Sequence, residues 1–253
     1  MPFTFAHPLY AFPLKLAAPA SFSMTGLVLG SMSPDFEYFI ALEPYQAIGH
    51  THAGLLAEAL PLCTLLAFLF HRVIRMPLAV HLPSSCGLDA RAVQLITPWE
   101  LNTLRKWIVF VLSVAAGFYS HVLLDGFTHS GGAFVGRLPL LKDTLAGIPL
   151  YKIGQHSLSL IGLAVQTVLL ASLLLRKKPA MAGEFPKADS RQKRMFWLLA
   201  AAAAAVTIAL KLAFTDSANG IGILVVSTLS GGFLGITATS AIWTVRFAQL
   251  RRR

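Results

Sequence analysis

The 253-residue chain is short of charge, and of acid in particular. Asp and Glu together number 11, and all charged residues make up 13% of the chain, against roughly 25% in an average soluble domain. Cysteine is limited to Cys63 and Cys86, one in an apolar run and the other in a Pro/Ser-rich loop. Two such residues exclude a disulfide scaffold and are expected to stay unpaired. The start lacks the basic region of a secretory signal, with Lys15 the first cation, so no cleavable signal is expected. No strand alternation, heptad array or internal repeat stands out. No glycine loop of the phosphate-cradling kind is present, nor a recognisable Ser-His-Asp or Cys-His nucleophile arrangement.

Apolar residues are abundant: AVILMFWYC make up 55% of the chain, with 19 glycines besides. The mean hydropathy is +0.66. A disordered chain is excluded, the composition argues against an ordinary soluble globule, and the expectation is an all-α, polytopic transmembrane helical bundle. A span needs about 20 mostly apolar residues. Five segments qualify: Ala53 to Phe70, Trp107 to Leu124, Ile153 to Leu175, Met195 to Phe214 and Ile221 to Val245. A sixth, Leu14 to Gly30, holds Pro19, Ser21, Ser23 and Thr25. It either crosses the bilayer or lies within a bundle, so five or six membrane helices are expected in one integral membrane domain over 1–253.

The net charge of +10, from 21 Lys and Arg, sorts by loop. Residues 71–106 carry Arg72, Arg75, Arg91, Arg105 and Lys106, and residues 176–194 carry seven cations. The tail adds Arg246, Arg251, Arg252 and Arg253. The alternating segments 31–52 and 215–220 have none, and 126–152 has three. The positive-inside rule puts the rich segments and the C-terminus in the cytoplasm. The positive charge is thus topological, and no nucleic-acid partner is expected. Membrane lipid is the expected partner.

His50, His52, His121, His129 and His156 fall at the opposite helix ends, with Asp35 and Asp125. His71 and His81 fall on the cationic face and read as interfacial residues. Ionisable groups at membrane depth are costly and point to function. The sharpest pattern is His121-x3-Asp125-x3-His129. Residues i, i+4 and i+8 share a helix face, but the whole set rises roughly 12 Å, too far for one ion without strain. Gly126 is expected to end the regular helix and let His129 fold back; alternatively Asp125 bridges two ions. Imidazole with carboxylate suits zinc or another borderline divalent ion. The same residues also read as helix capping and turn hydrogen bonding, and the motif alone does not choose.

Other elements add to it. Ser33-Pro34-Asp35, followed by Glu37, reads first as a helix cap. His50-Thr51-His52 precedes a span, and on a helix the two rings diverge, so one of them is expected at a shared centre. Gln155-His156 opens another span. Together, three or four spans present His or Asp at one membrane face, as bundle proteins do when they build metal sites.

The motifs MPFTFAHP, GSMSPDFEYF, GHTHAGL, FHRVIRMPLAVHLP, GFYSHVLLDGFTHSGG and YKIGQHSLSLIG resemble an uncharacterised bacterial membrane family, domain of unknown function 4184. The signature lies in 1–175, and the helix pair 195–245 carries little of it. The bacterial inner membrane is the implied location. More distantly, the order histidine, Pro-Asp, histidine, His-x3-Asp-x3-His looks like the metal pattern of zinc-dependent phospholipases C and of inner-membrane metal-dependent hydrolases. That likeness implies His7, Asp35, His50, His121, Asp125 and His129 as ligands, with His156 a further candidate. The phospholipases close the pattern with His-x3-Glu, whereas Leu160 stands at that spacing from His156, so one or two ions are expected rather than three. A ligand His7 requires that Leu14–Gly30 be re-entrant or buried in the bundle, with an external N-terminus and five spans.

Three functions are consistent with these residues. A metal-dependent hydrolase would act on a lipid-like or phosphoester substrate at the outer face, with Glu37 or His52 as base or supporting partner. An ion- or proton-coupled carrier would use Glu58 and Lys211 within spans. A scaffold would hold a structural metal.

Overall fold

The computed structural model describes residues 3–181, 183 and 185–250, without the side chains of 246–250. Arg251, Arg252 and Arg253, expected in the cytoplasm, and Met1 and Pro2 of the first motif lie outside the described residues.

The helices are α1 (His7–Ala17), α2 (Met24–Met32), α3 (Phe36–Ala41), α4 (His52–Val80), α5 (Leu88–Val93), α6 (Leu104–Thr128), α7 (Ala133–Arg137), α8 (Leu150–Arg176), α9 (Ser190–Ala213) and α10 (Gly220–Leu250). A two-stranded antiparallel hairpin, β1 (Thr144–Leu145) and β2 (Ile148–Pro149), precedes α8. Five helices, α4, α6, α8, α9 and the Gly220–Val245 part of α10, are long and apolar enough to cross a membrane. They match the five expected segments.

The sixth segment is not one helix. The chain breaks at residues 18–23, and α1 and α2, at 11 and 9 residues, span only about 16 and 14 Å against about 30 Å of hydrocarbon. Pro19 cannot continue α1. The Lys15 ammonium donates to the carbonyls of Pro19 (2.5 Å) and Phe22 (2.6 Å). Ser23 then caps α2, its hydroxyl accepting from the Gly26 amide.

The chain forms two compact units. The first comprises Met1–Phe36, Ala47–Ala67 and Glu100–Leu170. In it α2 packs on α6, with Leu27, Phe110, Val114 and Phe118 all but fully buried. Glycine permits the approach: a Cβ on Gly30 would overlap the Val114 carbonyl, and one on Gly117 would sit 2.5 Å from the Leu27 oxygen. Small residues at such crossings let helices in lipid pack closely. The N-terminal segment is tied to α8 by hydrogen bonds. The Phe3 amide donates to Ser159 Oγ (2.9 Å), Tyr10 to the Leu158 carbonyl (2.6 Å), and Gln166 to the Phe5 carbonyl (2.8 Å). Thr51 caps α4 by accepting from the Gly54 amide. A π-helical turn at Leu55–Ala59 precedes Pro61, whose ring displaces the carbonyl one turn back.

The second unit comprises Glu37–Gln46, Phe68–Trp99 and Ala171–Arg253. A π-helical turn at Phe70–Ile74 stands before Pro77 in the same relation. Gly231 and Gly235 of α10 lie against Ala204 and Ala200 of α9. Ser230 and Ser227 of α10 donate to the Phe39 and Leu42 carbonyls, satisfying groups left open at the end of α3. Lys211, which the carrier reading would use, is paired with Glu43 at 2.8 Å. His81 is buried, stacked on Phe196. Both cysteines are free, Cys63 buried and Cys86 exposed.

Candidate metal centre

The first unit gathers four imidazoles and two carboxylates at the C-terminal end of α6. His121 and Asp125 stand one turn apart on that helix, and both are buried. Asp35 closes the Ser33–Asp35 turn after α2 and is fully buried. His7 opens α1, with 1% of its surface exposed. His50 lies just before α4. His129 caps α6.

The helix runs through Gly126 to Thr128, contrary to the expectation that Gly126 ends it. Gly126 instead leaves room for the Phe134 ring. His129 returns because its own backbone is extended, at φ −121° and ψ 145°. Its Nδ1 lies 3.0 Å from the Asp125 carbonyl and 3.6 Å from Asp125 Oδ1.

The donor atoms converge. His121 Nε2 is 3.2 Å from Asp125 Oδ2 and 3.6 Å from Asp35 Oδ1. His50 Nε2 is 3.4 Å from Asp125 Oδ2 and 3.6 Å from Asp35 Oδ1. His7 Nε2 is 3.6 Å from Asp125 Oδ1, and its ring stacks on His121 with centroids 3.6 Å apart. Tetrahedral zinc with ligands at about 2.0–2.1 Å has ligand-to-ligand edges of about 3.3 Å. Two groups have ligand atoms all within 4.8 Å of one another: Asp35, His50 and His121, and His7, His121 and Asp125. The Asp125 carboxylate turns one oxygen toward His50 and His121 and the other toward His7 and His129, so the set can hold one ion or two.

Several of these atoms are buried without a hydrogen-bond partner, among them Asp35 Oδ1, Asp125 Oδ1, His121 Nε2 and His129 Nε2. Each such atom costs about 1–3 kcal/mol, and a cation among them removes that penalty. The remaining atoms are held from outside. His121 Nδ1 faces the Ser31 carbonyl at 2.7 Å. As donor there, it leaves Nε2 a bare lone pair, the usual support of a ligand histidine. The Thr4 hydroxyl donates to Asp35 Oδ2 at 2.6 Å, leaving Oδ1 to the centre. Burial pushes the Asp35 carboxyl above its ordinary value, against the pull of His121 and the Thr4 hydrogen bond. Burial likewise holds His129 below the usual imidazole range, although Asp125 favours its charged form. The centre is closed on the side of His7, Asp35 and His121. It opens at His50 and His129, whose side chains are 15% and 29% exposed.

Three other sequence candidates fall in neither ligand group among the described residues. His52 is exposed, its Nδ1 2.8 Å from the Tyr119 hydroxyl. Glu37 is buried and belongs to the second unit. His156 is exposed on α8 and falls in neither ligand group among the described residues. Thr4, Ser31 and Tyr119 escaped sequence reasoning. A backbone carbonyl has no residue signature, and Thr4 and Tyr119 stand in no recognisable spacing to the residues they hold.

No curated protein and no solved structure matches the chain. The family model of a domain of unknown function, DUF4184, matches residues 1–241, a stretch that includes every residue of the centre, and the chain belongs to that family.

Proposed function

We propose that this is a multi-pass protein of the bacterial inner membrane and a metal-dependent hydrolase, acting at the outer face on a lipid-like or phosphoester substrate. The observation that carries the reading is the convergence of Asp35, His50, His121 and Asp125 donor atoms at 3.2–3.6 Å, with several of them buried and unbonded. The donor chemistry suits one or two zinc ions. When bound, such an ion lowers the pKa of a water toward neutrality and polarises an ester or phosphoryl oxygen.

The chain's own residues divide the work. Asp35, His121 and Asp125 form the fixed wall, oriented by Thr4 and the Ser31 carbonyl. His7 adds a donor beside Asp125. His50 and His129 line the accessible side, where a substrate oxygen can approach; an open side suits catalysis better than a structural site. Arg105 and Lys106 stand at the opposite end of α6. The positive-inside rule therefore favours an outward-facing centre and a cytoplasmic C-terminus.

Metal analysis of the protein purified without chelator is the test. Stoichiometric zinc is expected, lost in His121→Ala and Asp125→Asn, reduced in His50→Ala and retained in His52→Ala. Chelator-sensitive cleavage of a phosphodiester or phospholipid probe is expected of the loaded protein. Absence of metal from the parent overturns the centre, and metal without cleavage overturns the hydrolase.

A further inference from the structure

The chain leaving the centre builds a surface that the metal chemistry does not use. After His129 the Gly132 amide donates to the His129 carbonyl (2.9 Å). In α7, Val135 is buried and Phe134 stacks on Phe127, with centroids 4.0 Å apart. From Leu138 to Ile148 every residue but Leu141 is exposed. Leu140 and Leu145 are 67% and 64% exposed, and Leu138 and Ile148 are 45% and 46%.

The tip of this arm is a hairpin in which Leu145 pairs with Ile148. Directly opposed residues of an antiparallel pair share a face, and a two-stranded hairpin has no core behind it. The turn residues are Ala146 and Gly147, at φ 52° and 78°. Tight turns of this kind strongly favour Asn-Gly or Asp-Gly, because both central residues need positive φ. Alanine accepts the strained conformation while offering no polar group to water. Residues 144–149 carry no charge at all; Asp143 adjoins them, and Arg137, Lys142 and Lys152 flank them, leaving the flanks with a net positive charge. Those three cations are exposed and have no ion-pair partner among the described residues.

An uncharged apolar tip with net positive flanks is the pattern of segments that lie in the lipid interface, apolar groups in the acyl boundary and Lys or Arg at the phosphates. We infer that residues 138–149 form an anchor that seats the Leu145/Ile148 tip in an anionic phospholipid leaflet, with Arg137, Lys142 and Lys152 on headgroup phosphates. The arm is rooted at His129, so it holds the open side of the centre against the lipid surface. A membrane lipid whose polar headgroup reaches His50 and His129 is then the substrate class. That last step rests on the hydrolase reading; the anchor does not.

Collisional accessibility of a nitroxide label separates the two. The full chain is placed in nanodiscs containing phosphatidylglycerol, with the label on Leu145→Cys or Ile148→Cys in a Cys86→Ser background. The parent labelled at exposed Cys86 serves as the water reference. The oxygen-to-nickel-chelate accessibility ratio is expected to be severalfold higher at both tip positions than at Cys86, and to fall when Arg137, Lys142 and Lys152 are replaced together by Gln. A tip ratio equal to that of Cys86 overturns the anchor. So does dipolar broadening between labels, which would mean that a second copy covers the tip. Zinc measured in the same samples keeps the failures distinct. A wet tip with metal bound sinks only the anchor, and an immersed tip without metal sinks only the centre.

Discussion

His121 Nδ1 lies 2.7 Å from the backbone carbonyl of Ser31, which joins α6, the helix that carries His121 and Asp125, to α2 through a group that no side-chain substitution removes. The ring is thereby aimed, with Nε2 toward Asp35 and Asp125. The tightness of the α2–α6 crossing and the orientation of the His121 ring are one and the same property.

Gly117→Ala tests that coupling. Its Cβ would stand 2.5 Å from the Leu27 carbonyl oxygen and 2.7 Å from the Ser31 amide nitrogen, both backbone atoms that cannot turn aside. The helices must part, at about 1–3 kcal/mol, and the Ser31 carbonyl moves with them. Thermal unfolding in detergent is expected to show the loss, and zinc titration a weaker affinity. Gly136→Ala, with nothing within 4 Å, is the neutral comparison.

Thr4→Val removes the hydroxyl that donates to Asp35 Oδ2 at nearly constant volume. Such supporting partners are typically worth 10–100-fold in metal affinity, and a drop of about that size is expected by competition with a chromophoric chelator. Thr4→Ser keeps the donor and should retain most of the affinity. Equal affinities for Val and Ser would mean that Thr4 does not orient the carboxylate.

In the second unit, Lys193 binds Asp89 at 2.5 Å, with Ser84 and the Ala90 amide also donating to that carboxylate. Burial alone would raise the Asp89 carboxyl, but these donors outweigh it and hold the group below its ordinary value. A carboxyl depressed in the folded state stabilises above the unfolded pKa of about 3.9 and loses that contribution as pH falls through the folded value. Asp89→Asn is therefore expected to be less stable than the parent at pH 7 by about 1 kcal/mol. The two should converge as pH drops below about 3.9. A difference that persists at low pH would remove the ion pair as its source.

Much of the architecture was legible from residues alone. A bilayer requires long apolar runs, so the five membrane-length helices follow from composition along the chain. The segment from Leu14 to Gly30 did not, because an apolar residue looks the same whether lipid or protein covers it. Asp35, His50, His121 and Asp125 were legible as candidates because ionisable groups are rare in such a chain. Spacing alone did not tell His50 from His52, since they differ only in which way a helix entrance turns them. His7 and His156 both read as helix-end histidines in the sequence, yet one ring is buried against His121 and the other is exposed nearly two turns into α8.

The sequence by itself determined the solvent of this protein, the number of membrane-length helices and the short supply of residues from which a site could be made. These are one-dimensional properties, set by apolar run length and the scarcity of charge. Only the tertiary structure decided which ligands meet, because the donors come from four separated segments and their distances depend on how closely α2 can approach α6. That approach is governed by glycine at 30 and 117 and by a carbonyl that every residue carries.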